Sequence, residues 1–142
     1  MIEQILEFIQ NHWMLSGATV LLVIMLLIEE MKGKISGLPK ISAKEMVTML
    51  NHEDAIALDL RDQEKFDKGH ILGSINIPHS DIEKQLKKLG TNKNKTIILV
   101  DNNDAKLSAV EAKIRASGFV KIYALTGGIA SWRDAQLPLN KK

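Results

Sequence analysis

Three apolar runs of strand length, AIALDL at 55–60, TIILV at 96–100 and VKIYAL at 120–125, recur along the C-terminal part of the chain with helical patterns between them. A strand with one wet face alternates apolar and polar residues, whereas these runs are nearly continuous, so each predicts a strand covered on both faces. Such strands alternating with helices predict an α/β fold: a central parallel sheet flanked by helices on both faces.

The intervening segments carry their own signals. Ser42-Ala-Lys-Glu45 has the spacing of a capping box ahead of Met46, Val47 and Leu50, which predicts a short helix whose first N–H groups are satisfied by Ser42. Leu107, Val110, Ala112 and Ile114 supply an apolar stripe between the last two strands, and Gly118 stands where a helix needs a left-handed C-terminal residue. Gly127 and Gly128 turn the chain into a final helix that ends before Leu137-Pro138. No internal repeat or low-complexity tract interrupts this order.

A chain of 142 residues holds one ordinary domain plus an appendage. Residues 41–139 are the expected domain. Ahead of it, WMLSGATVLLVIMLLI at 13–28 carries no charge and is expected to be one transmembrane helix, with the lipid bilayer as its partner. At about 24 Å the run is slightly short for a hydrocarbon core of about 30 Å. In the short N-terminal segment 1–12, Ile2, Ile5, Leu6 and Ile9 follow helical spacing, and they either extend that helix or lie along the interface, with Trp13 near the headgroups. Glu3 and Glu7 precede the run and EEMKGK follows it, which is not the pattern of a cleavable signal. Lys32, Lys34 and Lys40 follow closely with no basic residue before, so the positive-inside bias predicts a single-pass protein of a bacterial inner membrane with its C-terminal domain in the cytoplasm. Residues 29–40 mix charge with Gly33, Gly37 and Pro39 and read as a linker.

Composition narrows the chemistry further. Nineteen basic and 17 acidic side chains give a net charge of +2 without a dense Lys/Arg cluster, so nucleic acid is not an expected partner. The chain has no cysteine, which excludes disulfides, thiolate metal sites and a thiol nucleophile. His12, His52, His70 and His79 lack the spacing of a metal-binding helix and are read as ordinary neutral, solvated or packed histidines; no metal and no cofactor is expected.

Several short motifs follow one another in a recognisable order. Asp59-Leu-Arg61 and Phe66 precede Gly69-His70-Ile71 and Gly73-Ser-Ile-Asn-Ile-Pro78; later come Ser117-Gly118-Phe119 and Tyr123-Ala-Leu-Thr-Gly127-Gly128-Ile-Ala-Ser-Trp132. Over residues 41–139 this string resembles the rhodanese family, and with the apolar segment included the layout resembles membrane-anchored bacterial rhodanese-like proteins. On the residues themselves the motif reads as largely structural. Asp59 and Arg61 close a strand as a pair that bonds loop backbone, with ligand binding the lesser alternative. Gly69 and Gly73 permit tight turns, His70 is a hydrogen-bonded packing residue, and Trp132 is a core aromatic.

In active members of the family, the loop after the strand corresponding to TIILV begins with a nucleophilic cysteine and curls its N–H groups into an anion cradle. The resemblance places Asp101 at the cysteine position, in a loop Asp101-Asn102-Asn103-Asp104-Ala105-Lys106. A carboxylate cannot attack a sulfane sulfur and carry it as a persulfide. Asp104 is read as the cap of the following helix and Asp101 as favoured by its dipole, so that the loop repels anions; Lys106 restores some positive charge. The expected function is a non-catalytic interaction or regulatory module on the cytoplasmic face of a membrane, with a membrane or cytoplasmic protein as partner. The alternatives are a protein of sulfur metabolism that works with a partner's thiol, and a small-ligand-binding module built on the former active-site loop.

Overall fold

The computed structural model describes residues 1–35, 37–102 and 104–142, the side chains of 29–35 and 104 excepted. It contains two compact units, 1–37 and 38–142, each described by itself.

In the first unit, α1 (Ile2–Asn11) and α2 (Trp13–Ile35) meet at His12, whose backbone (φ −130°, ψ 42°) leaves the helical region. The break bends α1 away from residues 13–28 of α2 by 103°, so α1 does not extend that helix. No single helix among the described residues is both long and apolar enough to cross a membrane; the bent pair reaches the necessary length and composition only together. The described apolar side chains of both helices are exposed, Ile5, Leu6 and Ile9 on α1 and Leu21 to Ile28 on α2 among them. Helix α2 continues to Ile35, through most of the segment expected as a linker. A single glycine at 33 costs about 1 kcal/mol in a helix, too little to stop one that is otherwise built from Glu, Met and Lys.

The second unit is built on a five-stranded sheet whose residues pair in parallel throughout. Its strands are β1 (Lys40–Ile41), β2 (Ala55–Asp59), β3 (Ile75–Asn76), β4 (Thr96–Val100) and β5 (Ile122–Leu125), in the order β1-β5-β4-β2-β3. The three apolar runs form the centre, where β4 is buried along its whole length. Alternate residues feed two cores. Leu58, Ile97, Leu99 and Ala124 pack with Ile82, Val110, Ile114 and Phe119, beneath α5 (Ile82–Gln85) and α6 (Leu107–Ala116). Ala57, Ile98, Val100 and Leu125 pack with Met46, Ile129 and Trp132, beneath α3 (Ala43–His52) and α7 (Gly128–Asp134). The remaining helix, α4 (Gln63–Lys68), follows β2 and buries Phe66. Leu38 is buried as well, so the packed unit begins three residues before Ile41.

Helix α3 opens with the capping box. The Ser42 backbone N–H donates to Glu45 Oε2 at 2.7 Å, the Ser42 hydroxyl donates to the same oxygen at 2.8 Å, and the Glu45 N–H donates back to Ser42 Oγ at 3.2 Å. The Ser42 backbone donor, with the hydroxyl second, holds the Glu45 carboxyl below the usual carboxylate range. A lowered native pKa stabilises the fold above the unfolded value, and that stabilisation is lost as pH falls through the native value. Glu45→Gln should therefore lower the urea midpoint at neutral pH, and the gap to the unmodified chain should close on acidification; a gap independent of pH would show that the carboxylate charge has no part in the cap.

Candidate functional site

The carboxyl ends of β2, β4 and β5 meet at one edge of the sheet, where ligands bind in open α/β folds. Each strand delivers a different group there.

Strand β2 ends at Asp59, whose carboxylate is buried with the guanidinium of Arg61. Arg61 Nε donates to Asp59 Oδ1 at 3.0 Å and Nη2 to Oδ2 at 2.7 Å, while the Arg61 backbone N–H donates to Oδ1 at 3.0 Å. Arg61 Nη2 also donates to the Gly69 carbonyl at 2.8 Å, reaching across α4. Asn76 Nδ2 completes the knot from β3 by donating to the carbonyls of Asp59 and Arg61 at 3.1 and 2.8 Å. Gly69 contributes through that carbonyl and lies in extended backbone (φ 163°) where the chain bends after α4, its N–H donating to the Phe66 carbonyl at 3.2 Å; Gly73 adopts the left-handed region, at φ 77°. His70 is buried, stacks on Phe66 with ring centroids 3.8 Å apart, and donates from Nδ1 to the Phe66 carbonyl at 2.8 Å. Trp132 is buried in the core with its indole N–H on the Pro138 carbonyl at 3.0 Å.

Strand β4 delivers Asp101, which is 8% exposed. Its Oδ1 accepts from the Asn102 N–H at 2.7 Å, and its Oδ2 accepts from His79 Nε2 at 2.5 Å. His79 stands in the short 3-10 turn His79–Asp81 that follows Pro78. It is therefore neither solvated nor unpaired, and the contact spans 22 residues of sequence. A 3-10 turn at Asp104–Lys106 separates this loop from α6, which begins at Leu107. Lys106 is the residue before the helix and makes no capping bond with its side chain. The capping role expected of Asp104 lies outside the described side chains, and Asn103 outside the described residues; Asn102 and Ala105 are exposed.

Strand β5 leads into Gly127 and Gly128, both left-handed at φ 72° and 59°. A Cβ on Gly128 would stand 2.1 Å from the Asp101 carbonyl oxygen, so only glycine lets the start of α7 close on the loop. At Gly127 a Cβ would meet the Ser131 side chain at 2.9 Å.

Around this edge the surface is basic. A hollow of about 210 Å³ opens onto Arg61, Asp62, Lys65, His79, Asp101 and Lys106, among others. Beside it, a groove of about 380 Å³ runs between α4 and α7 and adds Lys68 and Arg133. Among the described residues no group of three or more His, Asp or Glu side chains is placed to hold a metal ion. Chemically, the arrangement offers a carboxylate whose two oxygens are already hydrogen-bonded and no nucleophilic sulfur.

The fold and the ordered motifs converge on one family. Residues 42–135 match the model of the rhodanese-like domain, and the chain belongs to that family. Over 138 residues it is 33% identical to the protein YibN of Escherichia coli K12, with 96% of each chain covered. Among solved structures it is similar to the Alr3790 protein of Anabaena, at 24% identity and a TM-score of 0.63, covering 72% of this chain and 82% of that one. It also resembles a thiosulfate sulfurtransferase of Pseudomonas aeruginosa, at 20% identity and a TM-score of 0.65, over 74% of this chain and 20% of the other; that likeness shows the fold alone.

The knot at the end of β2 predicts a large mutational effect. Arg61→Ala leaves Asp59 buried without its partner, and breaking a buried pair from one side costs about 3–5 kcal/mol. Urea unfolding should show a loss of that size; a loss below about 1 kcal/mol would mean that the pair does not carry the edge of the sheet.

Proposed function

We propose that this chain is a non-catalytic rhodanese-like module, attached to a membrane through its N-terminal helices, that binds a protein partner with the surface around its former active-site edge. The observation that carries the reading is the state of Asp101. The position that would hold the nucleophile is a carboxylate, both of its oxygens are used inside the loop, and no cysteine exists elsewhere in the chain to replace it. Sulfur transfer needs a thiolate to attack a sulfane sulfur and carry it, and a carboxylate supplies no stable equivalent. The scaffold around that position is fully built, from the buried Asp59–Arg61 pair to the glycine contact behind the loop, which supports a retained surface.

Full-length protein incubated with thiosulfate and cyanide should form thiocyanate no faster than buffer does. A rate above buffer that is lost in Asp101→Asn would overturn the non-catalytic reading.

Membrane attachment is supported by the apolar side chains of α1 and of residues 13–28 in α2, which stay exposed among the described residues of their own unit. The cytoplasmic side is favoured by the lysines that follow the apolar run. Expressed in a bacterial cell, the full-length chain should stay with the membrane pellet after alkaline carbonate extraction; release into the supernatant would remove the anchor from the proposal.

A further inference from the structure

We propose that the groove between α4 and α7 is a docking site for an acidic segment of a partner polypeptide, held by Arg133, Lys65 and Lys68. This rests on the non-catalytic reading above and specifies the chemistry of the partner that such a surface would take.

The charges that border the groove differ in availability. Arg61 is buried and committed to Asp59 and Gly69. Lys65 and Lys68 stand on the rim with side chains 62% and 73% exposed. Lys65 is 3.8 Å from Asp62 and Lys68 is 2.7 Å from Glu64, and both acids are 80% exposed. Exposed pairs three or four residues apart on a helix contribute only a few tenths of a kcal/mol, so an incoming carboxylate displaces them at little cost. Arg133, on the opposite wall, has no ion-pair partner among the described residues, and its planar fork suits bidentate capture of a carboxylate. Asp101 beside the groove presents no free oxygen to it, since His79 and the Asn102 N–H take both.

The shape selects a polypeptide over the other anions. A tetrahedral oxyanion binds where several donors converge on one point, whereas here the cations stand on two helices, and Ile129 and Ala130, on α7 with Arg133, give the groove an apolar lining. Carboxylates spaced along a chain, with methylene groups against that apolar floor, satisfy both features. A bilayer surface is flat and does not enter a concave groove.

The test uses the full-length protein in nanodiscs of neutral lipid and a fluorescein-labelled peptide of alternating glutamate and leucine, followed by anisotropy. Binding should saturate and weaken as salt rises. Arg133→Glu and Lys65→Glu should each weaken it about tenfold or more, the loss of one charge-assisted contact. Lys121→Glu, before β5 and therefore at the opposite end of the sheet, should leave it unchanged. Circular dichroism of each variant confirms that the fold is intact. Equal losses in Arg133→Glu and Lys121→Glu, or no loss in Arg133→Glu, would overturn the site. Full displacement of the peptide by inorganic phosphate would make it a small-anion pocket, and binding to phosphatidylglycerol vesicles without binding to the peptide would make it a lipid surface; each overturns the proposal. Absence of peptide binding with no thiocyanate formed sinks the docking site alone, whereas thiocyanate formation sinks the non-catalytic reading beneath it.

Discussion

Burial of the Asp59–Arg61 pair governs the functional edge of this domain. Taking two charges out of water costs several kcal/mol per ion, and the Coulomb attraction between them offsets this only with good geometry and with the remaining donors and acceptors satisfied. At the side chains the guanidinium is taken by Asp59 at the end of β2 and by the Gly69 carbonyl after α4, while the Asn76 amide on β3 bonds the main-chain carbonyls of Asp59 and Arg61. Because β3 is only two residues long, its place beside β2 owes as much to this polar knot as to its own ladder. The same knot fixes where α4 leaves the sheet, and with it the position of Lys65 and Lys68.

The loop after β4 shows how a carboxylate beyond a strand end is held by its own surroundings. A carboxylate set among backbone N–H groups with no other partner would exclude incoming anions through its free charge. Here Asp101 bonds the adjacent N–H on one oxygen and an imidazole on the other, so its charge is engaged locally. The surrounding lysines and arginine remain, and the edge as a whole keeps a basic face despite the acid at its centre. The fold around it belongs to the rhodanese-like family, and the chain carries no cysteine.

The central strands were legible because burial on both faces forces near-continuous apolar runs, and the capping box because its spacing is local. Strands β1 and β3 had no such signal. At two residues each and lying at the edges of the sheet, they show neither an apolar run nor alternation. The pairing of His79 with Asp101 was also hidden, since it joins a 3-10 turn to a strand end across the fold. The basic groove escaped for a similar reason: Lys65, Lys68 and Arg133 each look like an ordinary solvated charge, and only the packing of α4 near α7 sets them around one hollow. The continuation of α2 past residue 28 reflects a balance of propensities in which one glycine weighs less than its helix-forming neighbours.

The segment after α7 returns to the body of the domain, where His70 and Asn140 exchange backbone hydrogen bonds of 2.9 and 2.8 Å and the Lys142 N–H reaches the Asp67 carbonyl at 3.1 Å. Residues half a chain apart close that bridge, and loop closure on such a scale must be compensated by contacts already in place. Leu137 and Leu139 pack against the core on the α3 and α7 face, and the Trp132 indole holds the Pro138 carbonyl, so the strap is tied by side chains as well as by these bonds. Removing the chain from Asn140 onward would take partners from the backbone on both sides of the end of α4 and none from the central strands, so the tail seals one corner of the domain that the sheet itself does not reach.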